Sequence, residues 1–132
     1  MNRRKSRDVA MKLLFEMSIN KEDHDTIIEN FKENTDTDLS GVDFEYITRL
    51  LSGIKNNEEK IDSTIDKYLV KWKFERLPKM SLAILRIATF ELLFDEDIPE
   101  RVSINEAIEL AKTYGDENAP SFINAVLNNL VK

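Results

Sequence analysis

The sequence has 132 residues, 42% of them apolar and 33% charged, with a net charge of -6 and a pI near 4.9. That length accommodates one domain with a real hydrophobic core, and the balance of apolar and charged residues excludes a disordered chain. The absence of cysteine excludes disulfides, thiol nucleophiles and zinc–thiolate sites, and no apolar run is long enough to span a membrane.

Three glycines and three prolines leave few turns, which favours helices over hairpins. Val9, Ala10, Leu13, Leu14 and Met17 recur at helical spacing and predict a first helix from about Ser6 to Asn20, capped by Ser6 or Asn2. Ile27, Ile28 and Phe31 mark a second over Asp25 to Asn34, followed by the polar loop TDTDLSG. Phe44, Ile47, Leu50, Leu51 and Ile54 predict a third over Asp43 to Asn56, and Ile61, Ile65, Tyr68 and Leu69 a fourth. VKWKFERLP reads as a connection with a short helical turn, because Pro78 suits a helix start and not a helix interior. MSLAILRIATFELLF is apolar nearly all round, leaving a thin polar strip with Arg86 and Glu91, as expected of a central helix. In SINEAIELAKTYG, Ser103 and Glu106 match a capping box, and Gly115 stands where a left-handed C-terminal residue belongs. A last helix starts near Pro120 with Phe122, Ile123, Val126, Leu127 and Leu130. The expected fold is all-α, with about seven helices and short connections.

Charge is unevenly placed. Residues 1–12 hold five basic side chains against one acidic, residues 67–79 again five against one, and residues 13–66 five against fourteen. Two basic segments in an acidic chain suggest an anion-binding face, although charge runs are as often simply solvated. On a helix Arg3, Arg4 and Arg7 share a side, with Arg4, Met11 and Phe15 on a flank beside the core stripe. Guanidinium groups beside an aromatic ring suit single-stranded RNA, whose phosphates take the charge while a base stacks. Core packing explains Phe15 equally well.

Enzyme signatures are absent: no GxGxxG, GxxxxGK, GxSxG or HExxH occurs. One histidine, His24, builds neither a relay nor a multi-histidine metal site and reads as exposed or capping. Glu106 is explained by capping and Glu109 by pairing with Lys112. Asp95, Glu96 and Asp97 read as a solvated loop. Neither catalytic residue, metal nor cofactor is expected.

The chain resembles the NusB family of bacterial transcription antitermination factors over nearly its full length. The resemblance rests on RRKSRDVAMKLLFEM, YLVKWKFERL, LAILRIATFELLF, DIPERVSINEAIELAK and SFINAVLNNL, in that order. It implies a single RNA-binding domain over residues 1–132, built of two small helical bundles; a cytoplasmic setting is the expectation compatible with the absence of cysteine. It also implies binding of single-stranded boxA RNA, especially in ribosomal RNA leaders, and a heterodimer with NusE, a ribosomal small-subunit protein. That pair is expected to join other Nus factors on RNA polymerase and so promote ribosomal RNA transcription; self-association into a homodimer is an alternative.

By position, the resemblance assigns RNA contact to Arg3, Arg4, Lys5, Arg7 and Phe15, with Lys12 where the family often has Gln. Tyr68, Lys71 and Phe122 extend that surface. Ser121 stands where Lys is frequent, and Asn118 where an acidic residue is frequent, which favours phosphate approach. Partner contact falls to Glu75, Ser81 and Glu91, with Ser81 replacing a common acid. Ala125 replaces a frequent Gly. Two other readings compete: an RNA-methyltransferase module, for which the chain lacks a nucleotide-binding glycine motif, and a protein-only helical adaptor.

Overall fold

The computed structural model describes residues 2–36 and 38–132. Among them are seven α-helices and no strand. The chain divides into two compact units, Met1–Lys55 and Asn56–Lys132.

The first unit holds α1 (Arg3–Asn20), α2 (His24–Asn34) and α3 (Phe44–Asn56). Asn2 caps α1, its side-chain oxygen accepting the Lys5 N–H at 3.0 Å. The helix therefore starts three residues earlier than the apolar stripe alone predicts. Ser6 has a different task. Its hydroxyl donates to the Asn2 carbonyl at 3.0 Å and accepts the Asp43 N–H at 2.8 Å, tying the start of α1 to the start of α3. Lys21 closes α1 in the left-handed region (φ 58°) and donates to Met17 O. Asp23 caps α2 through the Thr26 N–H at 2.9 Å, and Asp43 accepts the Tyr46 N–H at 3.1 Å. α1 packs on α2, and the Phe31 and Phe44 rings meet at 6.4 Å between centroids. The predicted loop over 35–41 is present, apart from Thr37, which lies outside the described residues.

The second unit holds α4 (Glu58–Lys67), a 3-10 turn (Phe74–Arg76), α5 (Lys79–Phe94), α6 (Glu100–Tyr114) and α7 (Ala119–Val131). α5 packs against α4, α6 and α7 and buries nine residues from Ser81 to Glu91, as its all-round apolarity predicts. Each fully buried Ile or Leu there contributes roughly 1.5–3 kcal/mol. Arg86 on its polar strip pairs with Asp62 of α4 through two bonds of 2.9 and 2.8 Å, and with Glu58 at 3.5 Å. Burial alone would lower the Arg86 pKa. The Asp62 hydrogen bonds and the two carboxylate charges outweigh it and raise the pKa, so the strut stays charged.

Three expectations are corrected here. α6 begins at Glu100 behind Pro99, so Ser103 lies inside the helix and caps nothing. Gly115 is extended (φ -90°, ψ 175°) and not left-handed. It is required for space: a Cβ there would collide with the Ala119 Cβ and sit 2.9 Å from Ala111 O. Met11, expected on a flank, is fully buried.

Candidate nucleic-acid interface

In the first unit, α1 opens with three cations and no acid in its first turn. The helix dipole disfavours this, since its N-terminus is itself positive. Local contacts offset the cost. The Arg3 guanidinium lies 4.1 Å from the centroid of the Tyr46 ring, a cation–π contact that leaves the arginine exposed. Lys5 Nζ donates to the Ser40 carbonyl at 2.7 Å. Asp38, nearby, has its pKa lowered, first by the Ser40 hydroxyl and N–H and then by the Lys5 charge. Arg4 is exposed, and Lys12, also exposed, pairs with Asp8 at 3.3 Å. Phe15 is half-buried and offers only part of its ring.

Arg7 departs from this set. It is only 4% exposed. Its position explains why: residues 7, 10, 11 and 14 fall on one helical stripe, and Ala10, Met11 and Leu14 are all buried. The assignment of Arg7 to a phosphate-facing surface is corrected; it is an internal cation.

In the second unit, the segment between α4 and the 3-10 turn is the most exposed apolar stretch, with Val70 at 60% and Trp72 at 51%. Lys71 between them is exposed and adopts φ 68°, a left-handed conformation that costs a non-glycine residue about 1–3 kcal/mol. Tyr68 ends α4, half-buried, with Lys67 Nζ 5.4 Å from its ring. Trp72 meets Phe122 at 5.5 Å between centroids with the planes tilted by 58°. The two rings line a notch of about 80 Å³ together with Leu77, Pro78, Ser81, Asp116, Asn118 and Ala119. Asn118, just before α7, makes no side-chain cap bond, while Ser121 donates to its carbonyl at 3.2 Å. Lys71, Asn118, Ser121 and Phe122 thus fall on the same unit as Trp72. Trp72 was not among the residues assigned from sequence. Being one aromatic between two lysines is a weak signal, and only the fold brings it against Phe122.

The partner-facing assignments separate. Glu75 is exposed on the 3-10 turn, whereas Ser81 is buried and lines the notch. Glu91 is 1% exposed and accepts the Ser103 hydroxyl hydrogen bond at 2.7 Å inside the unit. A carboxylate so placed joins α5 to α6 and is not presented to a partner; that assignment is corrected. Elsewhere, Glu109 pairs with Lys112 at 3.0 Å, and His24 sits at the start of α2 with Nε2 3.4 Å from Asp25. Among the described residues no group of acidic or histidine side chains is arranged to hold a metal ion, and no helix is long and apolar enough to cross a membrane.

The NusB family model matches residues 4–132. The chain belongs to the NusB family. The transcription antitermination protein NusB of Clostridium novyi is 60% identical over 132 residues, covering all of this chain and 99% of its own. That of Clostridium acetobutylicum is 53% identical, covering 99% of this chain and 96% of its own. Among solved structures, T. maritima NusB superposes with a TM-score of 0.87 at 40% identity, covering 98% of this chain and 90% of that one. A complex of antitermination factors NusB and NusE with double-stranded RNA matches with a TM-score of 0.81 at 25% identity, covering 97% and 94%. NusB membership makes the chain a transcription antitermination factor, and the all-helical architecture is that of its NusB neighbours.

Proposed function

We propose that this chain acts, through residues 1–132 as one RNA-binding domain, as a non-enzymatic adaptor in the cytoplasm. It binds boxA RNA together with NusE and promotes ribosomal RNA transcription, alongside other Nus factors on RNA polymerase. The observation that carries the reading is the exposed Trp72 ring against half-buried Phe122, beside Lys71, in a NusB-family chain with a relative crystallised with NusE and RNA. Arg3, Arg4, Lys5 and Lys12 contribute charge from the first unit, with Phe15 a partial stacking surface. Tyr68, Lys71, Asn118, Ser121 and Phe122 contribute from the second. Glu75 is the assigned partner contact that reaches solvent, and Ser81 shapes the notch from within.

The test is a titration of labelled boxA and scrambled RNA, single-stranded and duplex, each with and without NusE. Preferential binding of boxA, strengthened by NusE, is expected. With about four phosphates neutralised, log affinity against log salt should fall with a slope near -3, at roughly 0.7 per phosphate for a single strand. Equal binding of boxA and scrambled RNA with NusE present, or a slope near zero, would overturn the reading. A dimer that binds neither RNA would favour the protein-only alternative.

A further inference from the structure

The notch beside Trp72 has features that a phosphate-binding surface does not need. Its lining is mostly apolar: Leu77, Pro78, Ala119 and the two rings. Its polar lining residues are Ser81, Asp116 and Asn118, and a carboxylate there repels phosphate. At about 80 Å³ it is well below the several hundred Å³ of a drug-sized site, so it takes a fragment and not a whole nucleotide. The rings already touch at 5.5 Å, so a ligand ring does not slide between them. The stacking surface that remains is the exposed part of Trp72, which also lines the notch.

The polar lining bears on which edge fits. Asp116 Oδ1 accepts the Asn118 N–H at 2.9 Å, which orients the carboxylate, while Oδ2 makes no bond among the described residues. A carboxylate only accepts hydrogen bonds at neutral pH. At the 4-position it matches the amine of cytosine, as it does the 6-amine of adenine, and repels the keto oxygen of uracil, whose only edge donor is the neighbouring N3–H. The Asn118 amide, carrying no cap bond, supplies a donor and an acceptor for the neighbouring ring nitrogen or oxygen. Lys71 and Lys73, on either side of Trp72 in the chain and both exposed, supply charge for the flanking phosphates.

We propose that the Trp72–Phe122 notch holds one unstacked RNA base bearing an exocyclic amino group, and that Asp116 selects it. The proposal rests on the reading that this chain binds RNA, and it adds a specificity determinant to that site.

Trp72 is the only tryptophan in the sequence, so its emission reports the notch directly. The full chain is titrated with oligocytidylate and oligouridylate pentamers, which share ring size and differ at the 4-amino or 4-oxo group and at the adjoining N3, an acceptor in cytosine and a donor in uracil. Binding is followed in parallel by anisotropy of end-labelled pentamers. Oligocytidylate should quench Trp72 and bind about tenfold tighter than oligouridylate. Asp116→Asn, at an exposed position, should cut that preference to about twofold, because an amide presents a donor as readily as an acceptor. Phe122→Ala should weaken oligocytidylate about fivefold or more, with circular dichroism confirming an intact fold. Unchanged Trp72 emission at saturating RNA, equal affinity for the two pentamers, or a preference that survives Asp116→Asn would each overturn the base slot. If boxA RNA binds with NusE present while Trp72 stays silent, only the slot falls. If boxA does not bind at all, the adaptor reading falls with it.

Discussion

Gly115 connects α6 to the segment carrying Asp116 and Asn118, and replacing it by alanine separates two explanations for a glycine at a helix end. Its backbone (φ -90°, ψ 175°) is open to any residue, so alanine carries no conformational penalty. Restricting the unfolded chain would even stabilise the variant by about 0.4–1 kcal/mol. Against that, the new methyl collides with Ala119 Cβ and lies 2.9 Å from Ala111 O, and neither atom belongs to a side chain that can rotate away. Overpacking of this kind costs about 1–3 kcal/mol. The net expectation for Gly115→Ala is a loss of about 1–2 kcal/mol, or a Tm lower by roughly 4–8 °C, measured by thermal and urea unfolding. Ala119→Gly should relieve part of the collision, so the double-mutant cycle should show a coupling of about 1 kcal/mol. A left-handed glycine would give a similar loss for the single variant but no coupling to residue 119. A Gly115→Ala protein more stable than the parent, or strictly additive effects in the cycle, would refute the close-approach argument.

Arg4→Ala should reduce the steepness of the salt dependence of RNA binding by about 0.7 while changing stability by less than about 0.5 kcal/mol. Arg7→Ala should do the reverse, leaving the salt slope intact and lowering stability by about 1–3 kcal/mol as the buried groups around it lose their partner. Glu91→Ala strands the Ser103 hydroxyl in the interior and should cost about 1–3 kcal/mol in urea unfolding, while Glu91→Gln, which keeps an acceptor, should lose less. The Asp23 carboxyl lies below its ordinary value of 3.8, chiefly because it accepts the Thr26 N–H. A folded pKa below the unfolded one means this cap contributes in full above about pH 4 and is lost as pH falls through the folded value. An NMR titration should place the Asp23 midpoint below 3.8, and a midpoint at or above it would contradict the cap.

Periodicity made the helices legible, because α1, α3 and α5 carry long apolar stripes that no other local structure uses. It failed where a side chain answers to another helix. Ser103 and Glu106 have the spacing of a capping box, yet the Ser103 hydroxyl turns to Glu91 of α5, a partner twelve residues away that local spacing does not reveal. Gly115 has a helix-ending position but is needed for its missing methyl, which depends on where α7 begins. The same stripes carried more information than composition did. Arg7 shares a stripe with Ala10, Met11 and Leu14, and Glu91 with Ile84, Ile87 and Ala88, and all of these companions are buried. Both charges could have been placed inside by position, even though charged residues are rarely buried without partners.

The basic start of the chain divides into outward and inward charges. Three cations in the first turn of α1 stand at the positive end of a helix dipole, where acids would stabilise the helix by about 0.3–1 kcal/mol each. The folding of α1 does not require them there, since Asn2 already caps it and Ser6 already anchors it. Arg3 is held on the Tyr46 ring face, a contact that orients the cation without a carboxylate, whereas Lys5 is held by the Ser40 carbonyl with the Asp38 carboxylate close enough to feel its charge. Arg7, by contrast, is withdrawn from solvent and acts within the fold. Under the proposed RNA-binding function, these outward charges at the start of α1 are the ones that would meet phosphate, since the N-terminal end of a helix is a favourable place for an anion.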